Sequence, residues 1–205
     1  GYTVPNPKAQ AELVHKALTA AGVDARQVSY LEAHGTGTAL GDPIEITGLT
    51  QAFRKDTGDS QFCAIGSAKS NIGHLEAAAG IAGLSKVLLQ LKHRQLVPSL
   101  HASELNPNID FSTTPFQVQQ NLAEWQPSLD GHSIPRIAGI SSFGAGGANA
   151  HAVIEEYIDE HLEQSRRYQA PASAPALILL SAADPERLKI YAQRLLDYLR
   201  ATQDA

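Results

Sequence analysis

Val28-Ser29-Tyr30-Leu31-Glu32-Ala33-His34-Gly35-Thr36-Gly37-Thr38-Ala39-Leu40-Gly41-Asp42-Pro43-Ile44-Glu45 runs from an apolar stretch, through small and hydroxyl residues, into a helix start. Val28–Ala33 is short and apolar, and predicts a strand that ends at His34. Gly35 to Gly41 predicts a loop. Asp42 as N-cap, Pro43 at the first helical position and Glu45 at the third predict a helix running to about Phe53. A strand feeding a helix in this way is the unit of an α/β domain with a buried sheet.

The same alternation extends in both directions. Upstream, Leu13, Val14, Ala17, Leu18 and Ala21 fall on one face of a helix over Lys8–Ala21, with Gly22 as its C-terminal cap. Downstream, Phe62–Ser67 predicts a buried strand, and Gly73–Lys92 a long helix. The first half of that helix is Ala- and Gly-rich, which lets neighbouring backbones come close and places it in the domain interior. Val97–Pro115 predicts an irregular stretch and Phe116–Val118 a short strand. Arg136–Ser141, the Gly-rich turn Phe143–Asn149 and Ala150–Glu156 predict strand, turn and strand. His161–Ala176 is polar and rich in Pro and Ala, and reads as a linker. A strand over Leu177–Leu180 and a helix from Asp184-Pro185 to about Arg200 follow it.

Composition bounds the function classes. The chain has 205 residues, 43% of them hydrophobic and 18% charged, the balance of a globular domain. A net charge of −5 and the lack of a basic stripe argue against a nucleic-acid partner. No apolar run reaches membrane-spanning length. Cys63 is the single cysteine, so a disulfide framework or cysteine metal cluster is excluded, and a reducing, cytoplasmic setting is expected. The chain has no Met and begins Gly-Tyr-Thr-Val-Pro, which reads as a piece of a longer polypeptide.

Three segments carry candidate chemistry. In Glu32-Ala33-His34-Gly35-Thr36-Gly37-Thr38 a histidine ends a strand, Gly35 and Gly37 let a ligand lie against the backbone, and Thr36 and Thr38 offer hydroxyls. The same pattern fits a histidine satisfied in a tight turn. In Lys69-Ser70-Asn71-Ile72-Gly73-His74-Leu75-Glu76 the histidine falls in the first turn of the predicted helix, where the helix dipole disfavours imidazolium. A neutral His74 can donate one hydrogen bond to a developing oxyanion. The plainer alternative is a helix cap with a Lys69–Glu76 surface pair. Ser141-Ser142-Phe143-Gly144-Ala145-Gly146-Gly147-Ala148-Asn149-Ala150-His151 fails the dinucleotide pattern, because Asn149 stands where the last glycine belongs and a strand follows. A tight turn between strands, offering backbone N–H groups, fits better. His93, His101, His132 and His161 have no metal-ligand spacing and read as solvated.

Taken together, the segments His34–Thr38, Lys69–His74 and Phe143–His151 resemble, in order and spacing, the signatures of β-ketoacyl synthases of the modular polyketide synthase type. Thr3-Val4-Pro5-Asn6 and Gly41-Asp42-Pro43-Ile44-Glu45 add to the likeness. It covers residues 1–157 and implies the C-terminal half of a thiolase-like α-β-α-β-α fold. Residues 158–176 would then be a linker, and 177–205 the start of a flanking α/β subdomain, similar to synthases whose acyltransferase acts in trans. The resemblance implies decarboxylative condensation of an acyl-cysteine with a malonyl-type extender, with His34 and His74 as oxyanion donors. It implies that Phe143 lends its backbone N–H to an oxyanion hole and its ring to a gate. Lys69 and Glu76 would be a charged pair organising the His74 loop, and Thr36 and Thr38 would contact phosphopantetheine. The domain would bind no cofactor or metal of its own; the pantetheine arm comes with an acyl carrier protein. Expected partners are that carrier protein, the N-terminal half of the ketosynthase and a second copy of the complete domain. Two departures stand out. Ala148 replaces a common Thr, and the Thr-Ala-Cys-Ser-Ser type nucleophile motif is missing. Cys63 lies in an apolar strand and reads as buried and inert, so the chain alone should not condense. A non-elongating acyl-transfer domain and a non-catalytic docking half-domain are the alternatives. Cut from its other half, the chain should expose apolar surface and aggregate.

Overall fold

The computed structural model describes residues 5–158 and 179–203. The chain divides into two units, the first ending at Ile158. The first opens with helix α1 (Pro7–Ala21). The Asn6 side chain caps it by accepting from the N–H groups of Lys8 and Ala9, and Gly22, at φ 66°, closes it. Then come β1 (Val28–Glu32), α2 (Gly41–Phe53), β2 (Cys63–Gly66), the single turn α3 (Lys69–Ile72) and α4 (Ala79–His93). Beyond these lie β3 (Gln95–Leu96), β4 (Phe116–Val118), β5 (Ala123–Glu124), β6 (Ser128–Leu129), β7 (His132–Ser133), β8 (Ile137–Phe143) and β9 (Asn149–Glu155).

Five strands form the central sheet in the order β4-β2-β1-β8-β9. All neighbours run parallel except the β8–β9 hairpin. The sheet separates two cores. On one face Val14 and Leu18 of α1 and Leu49 and Phe53 of α2 pack against Val28, Leu31, Cys63 and Ile65. On the other face Tyr30, Ala138, Ile140 and Trp125 meet Val87 of α4. Val28 and Tyr30 are two residues apart yet serve opposite faces, because the pairing of β1 with β8 shifts register between them. Leu31 and Ala33 therefore point towards α1 and α2, while Tyr30 and Glu32 lie on the α4 side.

Three expectations fail here. Asp42 is not the cap of α2. Leu40 holds that place, with no side-chain bond, and the Asp42 carboxylate turns back to accept from the Gly37 N–H at 3.1 Å. The long helix over 73–92 is broken. Gly73 sits at φ 75° and Glu76 at φ 49°, so the chain passes α3, an extended step and a short 3₁₀ turn at Glu76–Ala78 before α4 begins. Nor is α4 buried all round: Ala79, Gly83 and Val87 face the sheet, while Ile81 (61%), Leu88 (51%) and Leu89 (56%) are exposed. Within the first unit α4 lies with its inner side on one face of the sheet, and Ile81, Leu88 and Leu89 are turned away from it.

In the second unit, α5 (Pro185–Gln203) starts where the sequence places it, with the Asp184 carboxylate accepting from the Arg187 N–H. Most of the expected linker and residues 177–178 of the expected strand lie outside the described residues; Leu179 and Leu180 are without regular structure.

Candidate active site

The C-terminal edge of the sheet gathers the three segments. His34 follows β1, His74 lies between α3 and α4, and Phe143 ends β8. The imidazoles of His34 and His74 meet edge to face with centroids 5.4 Å apart, and the Phe143 ring lies 5.9 Å from His34. His74 and Phe143, 40 and 109 positions from His34 in sequence, come together beside it because β1 and β8 are sheet neighbours and β2 delivers the His74 segment on the other side.

His34 is half-buried. Desolvation first, then the charge of Lys69 and the nearness of His74, lower its pKa to about 4, so it is neutral at ordinary pH. Its Nδ1 is buried without a hydrogen-bond partner. His74 is exposed, and its Nδ1 accepts the Glu76 N–H at 3.0 Å. In the neutral ring the proton then sits on Nε2. This replaces the helix-dipole account: His74 is in no helix, and a backbone donor held by the positive φ of Glu76 selects the tautomer.

Glu45 is a site residue that the sequence reading missed. It is 4% exposed, and its two carboxylate oxygens accept the N–H groups of His34 and Gly35, each at 2.8 Å. Burial outweighs those two bonds and lifts its pKa to about 7. The loop it holds is tight. Gly35 has φ 49°, and a Cβ there would stand 2.8 Å from that of Ser67. Thr36 and Thr38 are exposed, their hydroxyls 3.4 Å apart, and Thr38 Oγ1 accepts the Gly41 N–H.

Lys69 and Glu76 do not form an ion pair. The backbone between them reverses at Gly73 and Glu76, which leaves the Glu76 side chain outside. Lys69 instead feels Glu45 and Glu32, while desolvation, the larger effect, lowers its pKa. Phe143 leads into a turn closed by Gly144 N–H donating to the Ala148 carbonyl at 2.8 Å, with Gly147 at φ 85°. Cys63 is fully buried in β2, and burial pushes its thiol pKa up. Iodoacetamide should therefore label Cys63 only after denaturation; modification in the folded protein would contradict this burial.

Residues 1–103 match the family model "Beta-ketoacyl synthase, C-terminal domain", and residues 106–205 match "Ketoacyl-synthetase C-terminal extension". The chain belongs to the β-ketoacyl synthase family. Among its relatives are polyketide synthase PksL of Bacillus subtilis (strain 168), 62% identical over 98% of this chain and 4% of PksL, and polyketide synthase ThaG of Burkholderia thailandensis, 57% identical over 95% of this chain and 4% of ThaG. The ketosynthase domain OzmH KS7 of the Streptomyces albus JA3453 oxazolomycin system superposes with TM-score 0.74 at 48% identity, covering 100% of this chain and 35% of that one. The ketosynthase from module 6 of the Bacillus subtilis 168 bacillaene synthase gives 0.73 at 42%, covering 100% and 33%. The fold is thus the thiolase-like ketosynthase fold, and the chain spans about a third of those solved ketosynthases. Among the described residues, no helix is long and apolar enough to cross a membrane.

Proposed function

We propose that this chain supplies the decarboxylation half of a condensing ketosynthase, with its nucleophilic cysteine on the upstream half. The observation that carries this is the contact between two histidines, one neutral by burial and one with a backbone-selected tautomer. In the reaction, the C–C bond to the extender's free carboxylate breaks and CO2 leaves. The electron pair moves onto the thioester, leaving an enolate. His34 and His74 donate to its oxygen, without reorganising as the charge develops. The enolate carbon then attacks the acyl-cysteine carbonyl, forming the new C–C bond and a tetrahedral oxyanion, which collapses to the ketone and expels the cysteine thiolate. In this reading Phe143 contributes its backbone N–H to the hole for that tetrahedral oxyanion, and its ring covers His34. Lys69 adds positive charge beside the pair, and the exposed hydroxyls of Thr36 and Thr38 meet the pantetheine arm. Glu76 acts through its N–H on His74 rather than through its carboxylate.

The same reading takes residues 1–157 as the ketosynthase part, 158–176 as linker and 177–205 as the start of a flanking subdomain, which the division of the chain after Ile158 supports. The upstream half would cover the exposed apolar side of α4. An acyl carrier protein supplies the extender, the complete domain acts as a homodimer in the cytoplasm, and the reaction class is acyl transfer. Incubating the complete ketosynthase with a malonyl-pantetheine thioester after acyl priming should release CO2 and yield a β-ketoacyl thioester. CO2-free turnover, with the acyl group merely passed on, would favour the non-elongating alternative.

A further inference from the structure

Glu32 stands two residues before His34 and is 2% exposed, yet nothing in the reaction above uses it. Its carboxylate touches three residues. Oε2 accepts the Tyr30 hydroxyl at 2.6 Å and lies 2.9 Å from Lys86 Nζ of α4, and Oε1 accepts the N–H of Ala68, the residue before Lys69. Lys86 is itself largely buried and lies 5.5 Å from the centre of the Tyr30 ring. Two glycines clear the space. A Cβ at Gly83 would stand 3.0 Å from Glu32 Cγ, and one at Gly66 would stand 3.0 Å from the Tyr30 hydroxyl and 3.4 Å from Lys86 Nζ. Gly66 is also the register partner of Glu32 in the sheet.

A buried ion pair stabilises only weakly against an apolar replacement, so stability alone does not account for this one. Here the oxygen not engaged with Lys86 and Tyr30 holds the backbone where the His74 segment leaves the sheet. We propose that Glu32 is a positioning residue, fixing the Lys69–His74 segment against the strand that delivers His34. This rests on the reading of the histidine pair given above. The Tyr30 hydroxyl bond and the charge of Lys86 hold the carboxylate in place, and the carboxylate fixes the spacing of the two imidazoles. The Lys69–Glu76 pair, which the structure does not form, is not needed for that purpose.

Two double variants of the complete ketosynthase separate this from a merely structural ion pair. Glu32→Gln with Lys86→Met removes both charges but keeps an oxygen for the Ala68 N–H. Glu32→Leu with Lys86→Met removes both charges and the acceptor. Since misplacement of about 1 Å can cost on the order of 100-fold, the Leu variant should release CO2 from malonyl-pantetheine about 10-fold or more slowly than the Gln variant. Acylation of the upstream cysteine should differ far less between the two, and thermal melting checks that both are folded. Equal CO2 release in the two, whether fast or slow, overturns the role of Glu32 if His74→Ala is inactive. Undiminished CO2 release in His74→Ala overturns the site reading, and this proposal with it.

Discussion

Replacing His34 or His74 by alanine in the complete ketosynthase will slow CO2 release from a malonyl thioester by about 100-fold or more, since losing one preorganised oxyanion donor removes on the order of 3 kcal/mol. The double variant should fall little further, because either imidazole alone leaves the enolate oxygen half-satisfied and the two act as a unit. Acylation of the upstream cysteine should survive better than decarboxylation, as no enolate forms in that step. His74→Gln keeps an N–H donor and should recover part of the loss. The pH profile carries a further signature. With the His34 pKa lowered to about 4 by desolvation, Lys69 and His74, this imidazole is neutral throughout the neutral range. The rate should therefore not fall through the usual histidine range on account of His34. An acid limb near pH 6.5 that His34→Gln abolishes would contradict the burial described here.

Glu45→Ala is expected to be the most damaging change outside the histidines. It leaves the N–H groups of His34 and Gly35 without their acceptors, and each buried donor so orphaned costs about 1–3 kcal/mol. Thermal melting should show a large loss, and CO2 release should fall with it as the loop carrying His34 loosens. Glu45→Gln separates charge from geometry. The folded-state pKa of about 7 exceeds the ordinary value of 4.5, so the folded protein holds this proton more tightly than the unfolded chain. Its contribution is fully present below pH 4.5 and is lost as pH rises towards 7. Glutamine does not titrate, so the stability gap between the native protein and Glu45→Gln should narrow as pH rises across that window. A gap that widens would mean that the carboxylate is held ionised by its two N–H donors.

The layers were legible because their signals are local and periodic. The apolar face Leu13, Val14, Ala17, Leu18 and Ala21 and the Gly22 cap mark α1, and the apolar runs Val28–Leu31 and Cys63–Ile65 have a partner on each face of the sheet. The backbone reversals around His74 were not legible. Gly73 is an ordinary helix breaker, but Glu76 at φ 49° is a conformation its residue type disfavours, and tertiary context imposes it. Asp42-Pro43-Ile44-Glu45 has the letters of a capping box. Both carboxylates were drawn instead to the unpaired N–H groups of the neighbouring Gly-rich loop. The sequence did hold one clue: Glu45 shares the helical stripe of Gly48, Leu49 and Ala52, all buried, so its carboxylate had to find partners inside. Glu32 offered a similar clue, as a charge at the end of a strand that is buried on both faces. The histidine pair was found through motif resemblance. Its geometry depends on strand order, which no local pattern encodes.

The central claim is that this chain carries the oxyanion donors and not the nucleophile. Peptide-level mass spectrometry of the complete ketosynthase after incubation with an acyl-pantetheine thioester tests it most directly. The acyl mass is expected on a cysteine upstream of this chain and not on Cys63, in the native protein and in His74→Ala alike. Acyl mass on Cys63, or its loss from the upstream cysteine when Cys63 is replaced by alanine, would contradict it.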